Sequence, residues 1–537
     1  MQFLFGTEQP PRDAIRWRER LGSLTRRPAW LPQPAPYQVS RWVFLRLLGL
    51  VYLCAFASLW VQLDGLIGSR GILPAERLME LAAAQLDGQV HLFPTLLWLN
   101  ASDGFLHALT GAGLVLAALL TAGIAPVLTL LGLWVLYLSL SLGGQVFFSF
   151  QWDTLLLEAG FLAVWLAPLT VWPRAERRAI VPRPALWLMW WLLFRLMFES
   201  GAVKLMSHDV SWANLSALRY HYETQPLPTW IGWYAHQMSW AIHGLCAAIL
   251  FGIELGSPFL IFFGSNARRA ACVILVTLQL AIAATGNYCF FNLLAIALCL
   301  LLLDDTAWPA RLRRFVQGRE RGPSKRSRAW PLPILLPVSV ALFVLSLTPT
   351  MSSLGFGPPW LERVSGLYGW AQPFRSINSY GLFAVMTTER PEIIVEGSLD
   401  GLRWEPYEFA YKPGDLRRTP AFVAPHQPRL DWQMWFAALG SVEQNTWFLH
   451  FVQRLLEGSS EVGALLAVNP FPGKPPLAVR AMVYDYRFTD RRSKAVTGGW
   501  WRRENPREYC PAVALNRDGR LIRFHAAPEA SNPRPTP

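Results

Sequence analysis

Nine runs of predominantly apolar residues dominate this sequence and restrict the folds open to it. A helix that crosses a bilayer needs about 20 such residues, at a rise of about 1.5 Å each. The runs predict a polytopic α-helical membrane protein with about nine transmembrane helices in a domain covering residues 41–350. A window of about 19 residues places them at 42–62, 104–122, 124–142, 153–172, 185–205, 239–263, 267–285, 287–303 and 331–348.

The composition excludes an ordinary soluble enzyme and a nucleic-acid-binding protein. Hydrophobic residues make up 53% of the 537 residues and charged residues only 16%, which lies outside the range of soluble domains. The formal charge of +13 would suit nucleic acid if it lay on one soluble face, but the basic residues sit mostly in short loops between the apolar runs. We therefore expect membrane lipids, and no nucleic acid, as partners.

The basic residues also predict the orientation of the chain. If the N-terminus is cytoplasmic, 21 lysines and arginines fall on cytoplasmic segments, whereas the loops between the runs on the opposite side hold only Arg70, Arg77 and Arg219. Cytoplasmic loops of membrane proteins carry such an excess. Residues 1–40 are therefore predicted to be a basic cytoplasmic segment, and everything after the ninth run lies outside the cytoplasm. The stretch 72–86 is too short and too charged to span, and predicts an amphipathic surface helix.

Residues 351–525 change to an alternating, turn-rich sequence and predict an extracytoplasmic β-rich domain. Apolar alternation and β-branched residues indicate strands, and Asp400-Gly401 between two such runs is a strong signal for a hairpin. We expect an α+β fold resembling a β-sandwich that carries a helical insert. The predicted strands are 380–388, 391–397 and 477–489.

The helical insert of this domain is predicted from its capping residues. Asp431 can cap one helix, and apolar periodicity over 445–456 indicates a second helix that ends before Gly458. Residues 526–537 are predicted to be a flexible tail. Cys510 is the only cysteine after the apolar runs, so no disulfide is expected in this domain.

The fifth run, 185–205, carries three charges that make it costly to bury. Arg195, Glu199 and Lys204 lie within it, and a central charge costs roughly 2.5 to 3.5 kcal/mol to insert. Arg195 and Glu199 are four residues apart and can pair along one helix face. The run therefore predicts either a structural ion pair that locks helix packing or one wall of a polar cavity.

Further polar residues gather with these charges toward the outer ends of the predicted helices. A rise of 1.5 Å per residue puts Glu158 about 7 Å inside the fourth run, whereas Arg46 and Glu254 lie nearer the cytoplasmic side and are expected to pack or snorkel. The candidate polar cavity consists of Asp153, Glu158, Arg195, Glu199, Lys204, His208, His221, Glu223, His243, Asn287 and Asn292.

Motifs for known chemistry give little support to an enzyme. His208 and His221 could hold a metal or carry a proton, but their spacing matches no standard ligand motif. The chain contains no G-x-S-x-G, H-E-x-x-H or Walker sequence, so lipase, metalloprotease and ATPase activities are poorly supported. We predict no metal, no cofactor and no catalytic residue.

Aromatic residues in the helical insert form a candidate client surface. They recur on consecutive predicted helices, with Trp432, Trp435 and Trp447 as the largest members. Aromatic residues at helical spacing usually face a core, whereas an exposed apolar patch marks an interaction site. The sequence leaves both interpretations open. The same series includes Phe436, Phe448 and Phe451.

Long stretches of this sequence resemble the lipase maturation factor family. They include SRWVFLRLLGLVYLCAFASLWVQLDGLIGSRGILP from Ser40, FSFQWDTLLLEAGFLAVWLAP from Phe148, and FRLMFESGAVKLMSHD from Phe194. GNYCFFNLL from Gly286, RSINSYGLFAVMTTERPEIIVEGSLDG from Arg375 and APHQPRLDWQMWFAAL from Ala424 extend the resemblance, which covers the chain from Ser40 to about Asp490.

The resemblance implies a function and a compartment. Members in animals are polytopic proteins of the endoplasmic reticulum that let secreted lipases of the lipoprotein lipase type reach their folded dimeric state. The composition of this chain, rich in Arg and Trp, resembles that of a bacterial member. The expected site is then the bacterial inner membrane, with the C-terminal domain in the periplasm.

Two functions from different classes follow from the sequence. The first is a membrane-bound maturation factor that holds a secreted client protein, a lipase by resemblance, on the extracytoplasmic side. The second is a membrane-embedded enzyme with an outward-facing polar cavity, since the membrane half is distantly similar to that of the vitamin K-dependent carboxylase. The resemblance favours the first, and the gathered charges support the second. The sequence does not assign an oligomeric state.

Overall fold

The computed structural model describes residues 36–173, 179–317 and 329–525. The predicted tail 526–537 and most of the predicted segment 1–40 lie outside these residues. From Tyr37 onward the described chain forms one compact unit. Its membrane half contains the helices α1 Gln38–Trp60, α2 Leu63–Ile67, α3 Ala75–Leu86, α4 Asp103–Ala122, α5 Pro126–Gly143, α6 Gln151–Leu166, α7 Arg183–Met206, α8 Val210–Ala213, α9 Ala217–Thr224, α10 Trp230–His236, α11 Trp240–Phe251, α12 Ser265–Thr285, α13 Phe291–Leu300, α14 Ala310–Gln317 and α15 Leu332–Ser353.

Seven of the described helices are long and apolar enough to cross a membrane. They are α1, α4, α5, α7, α12, α15 and the rod Trp240–Phe262, in which α11 continues through the π-helical turn Gly252–Gly256 and the 3-10 turn Ser257–Phe262. The predicted runs 153–172 and 287–303 instead form the shorter helices α6 and α13. The predicted count of nine spans is therefore not confirmed.

Local sequence explains the tight connections in this bundle. Gly123 ends α4 with a positive φ of 81°, a conformation that costs glycine little. Pro126 opens α5 at the first helical position, where its missing N–H is not needed. A tight turn therefore connects α4 to α5. The predicted surface helix 72–86 forms as α3, in which only Ala75 and Met79 are buried.

Polar contacts bring several helix ends together at one end of the bundle. Arg41, at the start of α1, donates to the carbonyl oxygens of Ala179 and Ile180 at 3.1 Å, just before α7 begins. Asp305, which follows α13, accepts from the backbone N–H of Val39 at 2.9 Å. Arg269 in α12 pairs with Asp304 at 2.8 Å. The start of α1, the start of α12 and the segments flanking α7 and α13 therefore share this end.

The described C-terminal region contains a five-stranded antiparallel sheet covered by helices and a separate two-stranded sheet. The five-stranded sheet has the order β2-β1-β5-β6-β7, and β3 pairs with β4 separately. The strands are β1 Arg390–Ser398, β2 Glu405–Pro406, β3 Glu408–Phe409, β4 Leu466–Val468, β5 Ala478–Phe488, β6 Trp501–Leu515 and β7 Leu521–Arg523. The helices are α16 Pro359–Ala371, α17 Arg429–Ala438, α18 Thr446–Leu456, α19 Ser460–Gly463 and α20 Arg491–Thr497.

The structure confirms two predicted strands and corrects a third. Strands 391–397 and 477–489 form as β1 and β5, and Gly401, with a φ of 77°, lies in the loop between β1 and β2. Residues 380–388 form no strand, because side chains of α7 and of the segment after it hold this backbone. Tyr380 N–H donates to Glu199 at 2.7 Å, and Met386 N–H donates to Asp209 at 3.0 Å.

Helices take the place of the second layer that a β-sandwich would have. Helix α17 packs on β1, and α18 packs on β5 and β6, so the predicted sandwich is not confirmed. The predicted cap Asp431 is wrong, because α17 already begins at Arg429. Asp431 instead accepts from the backbone N–H groups of Tyr411 and Lys412, each at 2.8 Å.

Candidate functional site

Arg195 pairs with Glu158 of the neighbouring helix α6, and both side chains are at most 2% exposed. The predicted pairing of Arg195 with Glu199 along α7 is wrong. The guanidinium points across the helix interface, where it also donates to the carbonyl oxygen of Asn378 at 2.8 Å. A buried arginine needs a charged partner, and here a different helix supplies it.

Tyr380 links this ion pair to Glu199. Its hydroxyl donates to Glu158 Oε2 at 2.7 Å, and its backbone N–H donates to Glu199 Oε2 at 2.7 Å. Glu199 Oε1 accepts from the Thr350 hydroxyl at 2.6 Å, and Asn378 N–H donates to Glu158 at 2.9 Å. Every carboxylate oxygen has a protein donor, so these residues form a closed network and do not line an open cavity.

Asp153 forms a second buried ion pair, with Arg429 at the start of α17. Two nitrogens of the guanidinium meet the two carboxylate oxygens at 2.9 and 3.0 Å, the bidentate geometry that arginine favours. The Tyr137 hydroxyl also donates to Asp153, and the Arg429 guanidinium lies 3.4 Å from the Phe148 ring centroid. Sequence reasoning missed Arg429, although a buried carboxylate requires a partner of this kind.

The remaining predicted cavity residues are dispersed. Glu223 accepts from Arg487 at 3.0 Å and from the backbone N–H of Phe488 at 2.9 Å. Asn287 accepts from the Val423 N–H at 2.7 Å. His208 is exposed. Two other predicted residues form hydrogen bonds with neighbouring groups. His243 contacts the carbonyl oxygen of Ala235 at 3.0 Å, and Asn292 donates to Gln279 at 2.8 Å.

Lys204 pairs with Glu254, which corrects the expectation that Glu254 packs or snorkels on the cytoplasmic side. The ammonium meets the two carboxylate oxygens at 2.9 and 2.8 Å. The side chain of Lys204 runs back along α7 and also donates to the Ser200 carbonyl oxygen at 3.0 Å, the direction that helical side chains favour. Glu254 lies in the π-helical turn, an element often found at functional sites.

Two of the predicted cavity residues, Lys204 and His221, line a cavity between the described helices. It has a volume of about 360 Å³ and lies between α7, α9, the Trp240–Phe262 rod and α12. Burial, reinforced by the charge of Lys204, lowers the pKa of His221 to about 4. His221 is therefore neutral at physiological pH.

The three tryptophans of the candidate client surface are buried. Trp432, Trp435 and Trp447 are 3%, 6% and 4% exposed. The Trp432 ring lies 4.5 Å from the Trp152 ring of α6, and Trp435 donates to the Thr224 carbonyl oxygen at 2.8 Å. They join the C-terminal region to the membrane helices and present no exposed surface to a client.

Two family models match this chain. The lipase maturation factor transmembrane domain matches residues 39–310, and the lipase maturation factor C-terminal domain matches residues 376–511. The first ends before α15, and the second begins before β1 and ends within β6. Together they include the Arg195–Glu158 and Arg429–Asp153 ion pairs, since Asp153, Glu158 and Arg195 fall in the first and Arg429 falls in the second.

Curated relatives cover most of the same chain. It is 37% identical to lipase maturation factor 2 of Homo sapiens, over 93% of this chain and 86% of the relative. Identity to lipase maturation factor 2 of Gallus gallus is 37%, over 89% and 82%. Identity to lipase maturation factor 1 of Mus musculus is 35%, over 92% and 91%. No solved structure matches this chain significantly.

Proposed function

The chain belongs to the lipase maturation factor family, and from that premise we propose that it is a membrane-bound maturation factor for secreted lipases. The observation that carries the proposal is the match to the family over both halves of the chain, at residues 39–310 and 376–511. The chain covers 82% to 91% of the three relatives described above. The client class comes from the names of those relatives.

The buried charges support a maturation factor better than the alternative of a membrane enzyme. Each carboxylate oxygen of Glu158, Glu199 and Asp153 accepts at least one hydrogen bond from the protein within a buried network, which supports a structural role for these carboxylates. Arg429 and Tyr380 instead fix the C-terminal region on the membrane helices. A C-terminal region that is held rigidly on the membrane helices suits a protein that holds secreted clients at the membrane.

We further propose that the N-terminus is cytoplasmic and that the C-terminal region lies on the opposite side. The 21 basic residues on one set of loops support this orientation. The contacts of Arg41 with residue 179 and of Asp305 with Val39 support α6 and α13 as two further crossings, nine in all. The relatives named above are animal proteins, and placement in a bacterial inner membrane stays a prediction from composition.

Co-expression with a secreted lipase tests the function. A host that lacks its own maturation factor would produce a lipase of the lipoprotein lipase type, with and without this chain. We expect the specific activity of the secreted lipase to rise several-fold at equal total lipase protein, because more of it reaches the folded state. A secreted protein that is not a lipase serves as the control for a general effect on export.

The Arg195→Met variant provides a matched negative control, because it inserts the same helices but loses the buried pair with Glu158. It is expected to give less active lipase than the unchanged protein. If the unsubstituted protein is well folded and the specific activity of the secreted lipase still does not rise, the proposed function is contradicted.

A reporter that is active only outside the cytoplasm, fused after residue 355 or at residue 320, tests the orientation. Activity is expected only for the first fusion.

A further inference from the structure

The cavity beside Lys204 has the size and lining of a ligand site. Its volume of about 360 Å³ falls within the roughly 300 to 1,000 Å³ that is typical of small-molecule sites. Its walls are mainly aliphatic and aromatic, with Leu196, Ile249, Leu278 and Phe383 among the lining residues. Few polar groups reach it. An apolar site of this kind selects a hydrocarbon with a small polar end.

The cavity opens between two helices of spanning length. Ile249 on α11 is 52% exposed and still lines the cavity, and Thr277 and Ala281 on α12 are exposed and line it as well. Within the Trp240–Phe262 rod, α12 packs mainly on Ser257–Phe262, past the level of Ile249. The opening therefore lies on the outward face of two candidate membrane spans, where lipid chains are the surrounding solvent.

At the charged end of the cavity, the Glu254 carboxylate can accept further hydrogen bonds, but the Lys204 ammonium has no free proton to donate. Lys204 uses its three protons on the two oxygens of Glu254 and on the Ser200 carbonyl oxygen. Each carboxylate oxygen keeps a further lone pair. An incoming group would therefore find a local charge near zero and a carboxylate that can accept one more hydrogen bond.

His221 adds a second acceptor, and its tautomer follows from its neighbours. Gln225 donates its amide N–H groups to the carbonyl oxygens of Thr285 and Tyr222, at 2.8 and 3.2 Å. Its amide oxygen therefore faces Tyr288, whose hydroxyl donates to it at 2.9 Å. The single hydroxyl proton of Tyr288 is then used, so the 3.0 Å contact with His221 requires His221 Nε2 to be the donor. In a neutral ring Nδ1 is then an acceptor, and it has no hydrogen-bond partner among the described residues.

We propose that this cavity binds a hydrocarbon chain of a neutral membrane lipid whose head carries a free hydroxyl, such as a monoacylglycerol. The chain enters between α11 and α12, and the hydroxyl donates to the Glu254 carboxylate or to His221 Nδ1. An anionic head is disfavoured, because it would face a carboxylate and an ammonium with no proton left to donate. This site goes beyond the maturation role and does not depend on it.

Photo-crosslinking tests the site on the purified full-length protein. The probe is a monoacylglycerol with a diazirine in its acyl chain, presented in phosphatidylcholine nanodiscs, and the labelled peptides are identified by mass spectrometry. We expect labels to concentrate on the cavity-facing residues of α11 and α12 and to disappear when unlabelled monoacylglycerol is added. Labels spread over all lipid-facing helices, without competition, would overturn the proposal.

A pair of substitutions separates the cavity from the general lipid surface. Ala281→Phe places a ring in the opening, whereas Ala248→Phe makes the same change at an exposed position of α11 that does not line the cavity. Both positions are exposed, so both variants are expected to fold, which a thermal melt checks. Labelling should be lost in the first and kept in the second. Equal labelling of two folded variants would refute the cavity as the binding site.

Competition between lipids tests the head group. Unlabelled monoacylglycerol and a long-chain alcohol are expected to displace the probe, because each brings a hydroxyl donor. Lysophosphatidate with the same acyl chain is expected to displace it far less. Its phosphate would meet hydrogen-bond acceptors and the Lys204 ammonium, whose three protons are already used. If lysophosphatidate competes as well as monoacylglycerol, the assignment of a neutral hydroxyl head is wrong.

Discussion

At the scale of single residues, burial decides which charges pair. Arg195 and Glu158 are 37 positions apart in sequence, and Arg429 and Asp153 are 276 apart. A pair four residues apart on one helix, such as Arg195 and Glu199, gains only about 0.2 to 0.5 kcal/mol at an exposed surface. A fully buried guanidinium needs a closer and better-enclosed carboxylate, and a facing helix can provide it.

Double substitution of the Arg195 pair tests this assignment. Arg195→Met should lower the stability of the protein by about 3 to 5 kcal/mol, because it leaves the Glu158 carboxylate buried without its cation. Arg195→Met combined with Glu158→Met should recover much of that loss, seen as the melting temperature of purified protein in micelles. The control is Arg195→Met with Glu199→Met, which leaves Glu158 unpaired and should recover little. Equal recovery by both double variants would contradict the assignment.

His221 predicts a dependence of stability on pH. Its pKa is lowered to about 4 in the folded protein by burial and by Lys204, from about 6.5 in an unfolded chain. The unfolded state therefore binds more protons between these values, so stability is fully present above about pH 6.5 and falls as the pH drops toward 4, by no more than about 3 kcal/mol. Melting curves of the protein and of His221→Gln should diverge over this range, with the variant less sensitive. Identical pH profiles would argue against a neutral buried His221.

At the scale of elements, helix α17 shows how the two halves are joined. Its buried face places Trp432 against Trp152 and Phe150, while Phe436 on the same helix is 42% exposed. From the sequence alone, the two consecutive aromatic-rich helices could form either an exposed patch or part of a core. The membrane helices cover the tryptophans, so the patch becomes part of the core.

Truncation of one aromatic residue on each face of α17 tests this arrangement. Trp432→Ala should cost about 3 to 5 kcal/mol, the range for a large buried aromatic side chain. Phe436→Ala, the control on the exposed face, should cost less than about 1 kcal/mol. Chemical denaturation of the purified protein measures both. Similar losses for the two variants would mean that both faces of α17 are buried.

At the scale of the whole molecule, the C-terminal region completes the membrane bundle. Tyr380, Arg429 and Val423 supply partners to Glu158, Asp153 and Asn287 of the membrane half. Arg390 donates to the carbonyl oxygens of residues 223, 225 and 226. Without these partners, several buried polar groups of the helices would be unsatisfied, at a cost of about 1 to 3 kcal/mol each and more for the charged ones.

Division of the chain after residue 353 tests this dependence. A chain that ends at residue 353 should give little monodisperse protein, because its buried carboxylates lack their donors. Co-expression with a second chain that begins at residue 354 should restore a complex of normal size, which controls for the cut itself. Fluorescence-detected gel filtration measures both outcomes. A well-behaved membrane half on its own would show that the two halves fold independently.

The sequence by itself determined the class of the protein and its regular elements. Hydropathy predicted a polytopic helical membrane protein, and alternating apolar residues predicted β1 and β5, because both signals repeat over a few adjacent residues. Lys204 and His221, which the sequence assigned to a polar cavity with nine other residues, line a mainly apolar cavity in the structure. Short-range periodicity carries this information, since it depends only on which faces must leave water.

Only the tertiary structure decided the partners and the surfaces. It paired Arg429 with Asp153 and Glu254 with Lys204. It also replaced the expected strand at 380–388 with a segment whose backbone is hydrogen-bonded to Glu199 and Asp209. These contacts connect residues far apart in sequence, and no local pattern encodes which distant group will satisfy a buried charge. The cost of an unpaired charge in an apolar interior guarantees that a partner exists, and the packing of whole helices selects it.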